Sequence, residues 1–169
     1  MTIIKYYSID MYSGAIDNMN DALEKLNKVS RWMGYGAIVI MAIAVIIMVT
    51  FVGLAIAVAV NPDLFTPYFN DETVTTGMML AACGAGIIGG ALIFIAFYYV
   101  HRFSANACKN NTPFTNDNVR YLRIIAILTV VCAVITLNPF MLLVSFLIYF
   151  VSLVFKYGTE LQKESDETL

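Results

Sequence analysis

The stretch HRFSANACKNNTPFTNDNVRYLR, residues 101–123, is the one long polar interval between two hydrophobic halves, and it carries Arg102, Lys109, Arg120 and Arg123 of the chain's ten basic residues. Its asparagine-rich centre, KNNTPFTNDN, breaks any helix entering it, and Pro113 disfavours helical geometry at Thr112. Thr115 then has the side chain of a helix N-cap, since its hydroxyl accepts a free backbone N–H of the next turn, and Asp117 suits the positive end of the helix dipole. Tyr98, Tyr99 and Phe103 with Arg102 stand before the break, and Arg120 and Arg123 stand after it. Interfacial aromatics next to basic residues mark a membrane boundary, so this interval is a loop on the side that retains positive charge.

Outward from the loop, the chain is membrane-like in both directions. Its 169 residues are 60% hydrophobic and only 13% charged, with a mean hydropathy of +0.76, far from the composition of an ordinary soluble domain. Apolar stretches at about 33–60, 76–100, 119–137 and 139–157 each approach or exceed the roughly 20 residues that cross a hydrocarbon core of about 30 Å. The first is long and must tilt or project, whereas the third is short and needs Arg120 and Arg123 to snorkel to the headgroups. Arg31 and Trp32 anchor the first at its inner end, Asn61 and Pro62 stop it, and Asn138–Pro139 is a tight turn with Asn as cap and Pro at the first helical position. Tyr149 falls near mid-depth of the fourth, where its hydroxyl calls for a partner such as Thr129 or Thr136. The expected fold is all-α: an integral membrane four-helix bundle preceded by an N-terminal amphipathic helix.

That lead-in occupies residues 1–32. Residues 1–13 read as loosely ordered against the membrane, without the basic n-region and apolar core of a cleavable signal peptide. From Ile16, the residues Met19, Leu23, Leu26 and Val29 recur at helical spacing with Asp17, Asp21, Glu24, Lys25 and Lys28 between them, giving a helix that lies at the inner interface or docks a partner. Residues 33–157 form the spanning domain and 158–169 an acidic tail. The connection 61–75 holds Asp63, Asp71 and Glu72 and no basic residue; it is an outer loop, and its spacing fits no compact calcium loop. All ten Lys and Arg fall on the other side of the membrane from it, so the positive-inside rule places both termini in the cytoplasm.

The second span differs in composition from the others. Ala81, Ala85 and Gly89 form one small-residue stripe and Ala82, Gly86 and Gly90 the adjacent one, a face that lets another helix approach closely in lipid, from within this chain or from a second copy in a homodimer. The inner loop is basic, and the tail, with Glu160, Glu164, Asp166 and Glu167 against Lys156 and Lys163, is acidic, so the tail is expected either to clasp Arg120 and Arg123 or to remain a solvated helix end available to a partner.

Two stretches together, NNTPFTNDNVRYLRIIA and FKYGTELQKESDETL, resemble the paired signatures of a small bacterial four-span membrane family catalogued as domain of unknown function 2975. In that family a TPFT-type turn opens the third span and a segment of the form F-x-x-G-x-x-L-Q-x-E-x-D-E-T-L ends the chain. The matching positions are Thr112, Pro113, Phe114, Thr115, Asn118, Arg120 and Arg123, then Phe155, Gly158, Leu161, Gln162, Glu164, Asp166, Glu167, Thr168 and Leu169; Tyr121 replaces a second consecutive basic residue. The resemblance implies a protein of the bacterial cytoplasmic membrane, with a small helix-turn-helix regulator of the Cro/CI type often encoded alongside.

For function, the residue types weigh against chemistry. Away from their inner ends, where Arg120, Arg123 and Lys156 stand, the apolar spans carry no Asp, Glu, Lys, Arg or His, whereas ion-coupled carriers usually place such groups in the membrane. His101 and Cys108 are the only pair that suggests a nucleophile and base, and an interfacial histidine is the simpler account; Cys83, Cys108 and Cys132 lack ligand spacing and read as small hydrophobes. No enzyme, metal or cofactor is expected, and no broad basic face for direct nucleic acid contact. Two classes remain. One is a membrane-anchored regulatory or scaffold protein that binds a soluble DNA-binding regulator through Thr112–Thr115, Arg120, Arg123, Glu160, Gln162, Glu164, Asp166 and Glu167; the other is a passive role in lipid or small-molecule handling, or in protection against a membrane-active peptide.

Overall fold

Of the described prolines, Pro113 lies in a connection and Pro139 at a helix start, so no described helix is interrupted by a missing N–H. The computed structural model describes residues 3–61 and 75–168, with side chains from Asp21 onward except Asp166. Four helices account for nearly all of them: α1 (Ile3–Val60), α2 (Thr76–Asn110), α3 (Asn116–Thr136) and α4 (Pro139–Glu167). Each has a stretch apolar and long enough to cross a membrane, and the chain is a multi-pass membrane protein. The acidic connection expected at 61–75 lies, apart from its two end residues, outside the described residues.

Local capping follows the sequence. Thr115 is the N-cap of α3 and accepts from the Asn118 amide at 3.2 Å; Asn138 caps α4, accepting from the Phe140 amide at 3.0 Å with Pro139 in the first turn. Asn111 ends α2 in the left-handed region, φ 50°, which asparagine tolerates. Three helices run past the apolar spans expected within them. Helix α1 is continuous from Ile3 through the lead-in into the first span, where a loose start was expected over residues 1–13, and α2 runs ten residues beyond Val100. Helix α4 continues through most of the expected tail to Glu167.

The reason for the first two differences is visible in the packing. Leu23, Asn27, Ser30, Gly34, Ala37, Met41, Ala44, Met48, Phe51, Ala55 and Val58 alternate steps of four and three and are all buried or half-buried, the 3.5-residue period of a left-handed helix pair. Helix α2 supplies the antiparallel partner. Phe51 sits on Gly86 and Met48 with Ala44 on Gly90; nearer the other end the Ser104 hydroxyl donates to the Ser30 carbonyl, and Asn27 Nδ2 donates to Asn111 Oδ1 at 2.9 Å. The polar lead-in thus belongs to the same helix pair as the first span and packs on the extension of α2. Asp21–Val60 alone is 40 residues, about 60 Å along a helix axis and twice the hydrocarbon thickness, so this hairpin stands out of the membrane.

Helices α3 and α4 form a second antiparallel pair, joined to the first through α2 and α3. Its seam is small and partly polar: Val119, Ala126 and Ala133 on α3 and Ser145, Ser152 and Thr159 on α4 are buried at steps of seven. The hydroxyls donate to carbonyls of their own helix, Ser145 to Leu142 at 2.7 Å, Ser152 to Tyr149 at 2.6 Å and Thr159 to Phe155 at 2.8 Å, so burial leaves no oxygen unmet. Thr129 and Thr136 likewise donate to Ile125 and Cys132 of α3, and Tyr149 is 49% exposed; the expected Tyr149–threonine bond is not made. Only 11%, 11%, 22% and 11% of the most apolar windows of α1 to α4 are buried, so the helices present apolar surface outward, to lipid.

Candidate functional site: a clasp at the basic end

Arg31, Arg102, Arg120, Arg123 and Lys156 all lie at the end of the molecule where α2 turns into α3. The turn is held by four short polar side chains. Asn110 Nδ2 donates to Asn106 Oδ1 at 2.9 Å, Asn106 Nδ2 to Asn118 Oδ1 at 2.9 Å and to Thr115 Oγ1 at 2.8 Å, and Asn118 Nδ2 to the Pro113 carbonyl at 2.9 Å. Asn106 and Asn118 each receive on the oxygen and give from the nitrogen, so the bonds polarise one another along the series. Asn118 is completely buried. The Thr112 hydroxyl accepts from the Phe114 amide at 3.2 Å and closes the first half of the turn.

The turn is also plugged into α4. The Phe114 ring lies 5.2 Å from Phe155, centroid to centroid, and Phe155 lies 5.8 Å from Phe103 of α2. Beneath Phe114 is Gly158, where an added Cβ would stand 2.5 Å from the ring. Two turns along α4 from Phe155, Gln162 Oε1 accepts from the Thr112 hydroxyl at 3.4 Å. The two signature stretches, far apart in sequence, therefore meet: Thr112 and Phe114 on one side, Phe155, Gly158 and Gln162 on the other. Tyr121 has its own place, 5.9 Å from Tyr99, and ties α3 to α2.

Gly158 is the residue that sequence reasoning undervalued. A glycine inside a helix costs about 1 kcal/mol relative to alanine, and that unexplained cost was the available signal. Gly158→Ala is expected to lower stability by about 1 kcal/mol, because displacing the Phe114 plug outweighs the gain in helix propensity. In a Phe114→Ala background the same change is expected to become stabilising. Thermal unfolding of the four variants in one detergent measures both signs.

The charged candidates lie outside the clasp. Arg120 and Arg123 are exposed, and no described carboxylate pairs with them. Glu160 pairs instead with Lys156 on its own helix at 3.5 Å. The expected electrostatic clasp between tail and arginines is thus replaced, among the described side chains, by an uncharged one, whose apolar plug and neutral bonds avoid the cost of desolvating ions. Glu160, Glu164 and Glu167 are exposed, and their spacing of four and three puts them on one face of α4; the Asp166 side chain lies outside the description.

The small-residue stripes divide. Gly86 and Gly90 receive Phe51 and Met48, while Ala81, Ala82 and Ala85 are exposed and Gly89 has open space where a Cβ would point. His101 and Cys108 line one groove but bond to α1 rather than to each other: His101 Nδ1 lies 3.4 Å from the Gly34 carbonyl, and Cys108 Sγ donates to the Asn27 carbonyl at 3.7 Å. Cys83, Cys108 and Cys132 are free thiols. Among the described residues no three His, Cys, Asp or Glu side chains group as ligands for a metal ion. The clasp can thus lock three helix ends and orient charge; it assembles no nucleophile with a base. Comparison with protein-family models, curated proteins and solved structures returned no match.

Proposed function

We propose that this protein is a membrane-anchored regulatory or scaffold protein that holds a soluble, basic partner at the cytoplasmic face. The supporting observation is the exposed carboxylate face Glu160, Glu164 and Glu167 on a helix whose root is clamped by Phe114–Gly158 and Thr112–Gln162. A rigid helix loses less entropy on binding than a disordered acidic tail, and its charge steers a basic partner into encounter. With the basic end in the cytoplasm, as the positive-inside rule assigns it, that face points at soluble proteins. A small helix-turn-helix DNA-binding regulator, the kind of neighbour implied by the family resemblance, has the required charge. Its capture here would keep it from DNA. The reading involves no catalysis by the membrane protein itself.

The clasp dictates how to test this. Truncation at Tyr157 would remove Gly158 and Gln162 and so disturb the fold together with the charge. The triple change Glu160→Gln, Glu164→Gln, Glu167→Gln leaves the clasp residues intact. In pull-downs from native membranes, the full chain is expected to recover a soluble DNA-binding protein and the triple variant to recover several-fold less, at equal membrane yield. Equal recovery by both, or none by either, would sink the proposal.

A further inference from the structure

Helices α1 and α2 enclose a groove on the side of α2 away from α3. Tyr99, Phe103 and Asn106 point to α3 and α4, whereas His101, Ala105 and Cys108, on the opposite face, line an apolar groove of about 190 Å³ with Gly34, Tyr35 and Ile38. Because α1 packs only on α2 to any extent, no other described helix covers this side. The groove opens at its polar end into a wider recess of about 800 Å³ lined by Glu24, Asn27, Lys28, Trp32 and Asn111, and the two share Arg31 and Tyr35.

The order of these groups along α1 is that of an amphiphile. Lys28 and Arg31 come first, Trp32 and Tyr35 follow at the depth where amphipathic rings favour the headgroup boundary, and Ile38 lies deeper in the apolar span. Two cations face one carboxylate, Glu24, and neither Lys28 nor Arg31 has an ion pair among the described residues. We infer that this groove is a binding site for one anionic phospholipid, its phosphate held between Lys28 and Arg31 and one acyl chain laid past Ala105 toward Tyr35 and Ile38. Charge selects the headgroup, and the bilayer supplies it at the right depth. The site is independent of the acidic face of α4 and of any soluble partner.

Native mass spectrometry of the full chain, released from nanodiscs of mixed phosphatidylglycerol and phosphatidylcholine, tests it directly. The wild type is expected to retain a single phosphatidylglycerol. Lys28→Gln with Arg31→Gln is expected to reduce that retention about thirtyfold, from the usual contribution of two basic residues near a membrane surface. Ala105→Trp, which fills the apolar groove and leaves both charges, should also reduce it, while Arg120→Gln with Arg123→Gln at the same end should not. Helix content by circular dichroism confirms that each variant is folded. Equal retention of phosphatidylcholine, equal loss on changing Arg120 and Arg123, undiminished binding by the Lys28 and Arg31 variant, or no lipid on the wild type would each overturn the inference. So would stabilisation by inorganic phosphate equal to that by the lipid, since it would mark a site for a soluble ion.

Discussion

Asn118→Asp is expected to destabilise the protein by about 3 kcal/mol at neutral pH, the cost typical of a buried charge left without a partner. The substitution hardly changes shape but removes the one donor that Asn118 offers to the Pro113 carbonyl, and it turns a carboxylate oxygen toward that carbonyl instead. At this fully buried position the charged form is strongly disfavoured, so the folded-state pKa of the introduced carboxyl rises above its unfolded value of about 4. A raised folded pKa makes the variant relatively stable below the unfolded pKa, where the protonated group donates to Pro113 again, and that stability is lost as pH rises through the folded pKa. The deficit in unfolding temperature against the parent should therefore grow from about pH 4 to pH 8. Asn118→Leu supplies the control: it strands the Asn106 amide and the Pro113 carbonyl at a cost of about 2 kcal/mol, with no pH dependence of its own. A deficit for Asn118→Asp that stays flat with pH would mean that the clasp is open to water.

Gly90→Leu is expected to cost about 3 kcal/mol, while Gly89→Leu, one residue away, is expected to cost nothing or to stabilise slightly. At Gly90 an added Cβ already stands 2.6 Å from Met48 Cγ and 3.6 Å from the Ala44 carbonyl. Met48 can bend away from one methyl, but a full leucine must push α1 off α2 and break their close packing, the usual penalty of overfilling a packed seam. At Gly89 an added Cβ would meet no described atom within 4 Å beyond its own turn of helix, and leucine recovers most of the roughly 1 kcal/mol of helix propensity that glycine forfeits. Denaturation in a constant detergent separates the two variants. The same pair addresses self-association: a fall in oligomeric mass on Gly89→Leu, with stability unchanged, would assign the Ala81, Ala85 and Gly89 stripe to a second copy of the chain. Unchanged mass would leave that stripe to lipid. Equal destabilisation by the two variants would contradict the α1–α2 register.

What could be read in the residues and what needed the fold separate along a physical line. The four spans, the N-cap Thr115, the Asn138–Pro139 start of α4 and the break at Asn111 rest on interactions within a few residues, or on the simple total of apolar length, and both are written in the sequence. The clasp was only half legible. Thr112–Thr115 and the stretch from Phe155 to Gln162 stood out as separate motifs, but nothing local says that Phe114 plugs Gly158, nor that Asn106 and Asn118 would share a bond across the turn. The continuity of α1 from the polar lead-in into its span was likewise hidden, because the composition changes at Arg31 while the seam running from Leu23 to Val58 does not. Hydropathy is mute about such seams. Lipid tails are as apolar as a leucine side chain, so an outward face such as Ile46 or Phe146 and an inward one such as Ala44 or Ile125 carry no difference in hydrophobicity that must be obeyed. In this protein the sequence by itself determined where helices start, stop and cross, whereas which face meets which was decided by close contact between small residues and by hydrogen bonds made across distances of up to eighty-four positions.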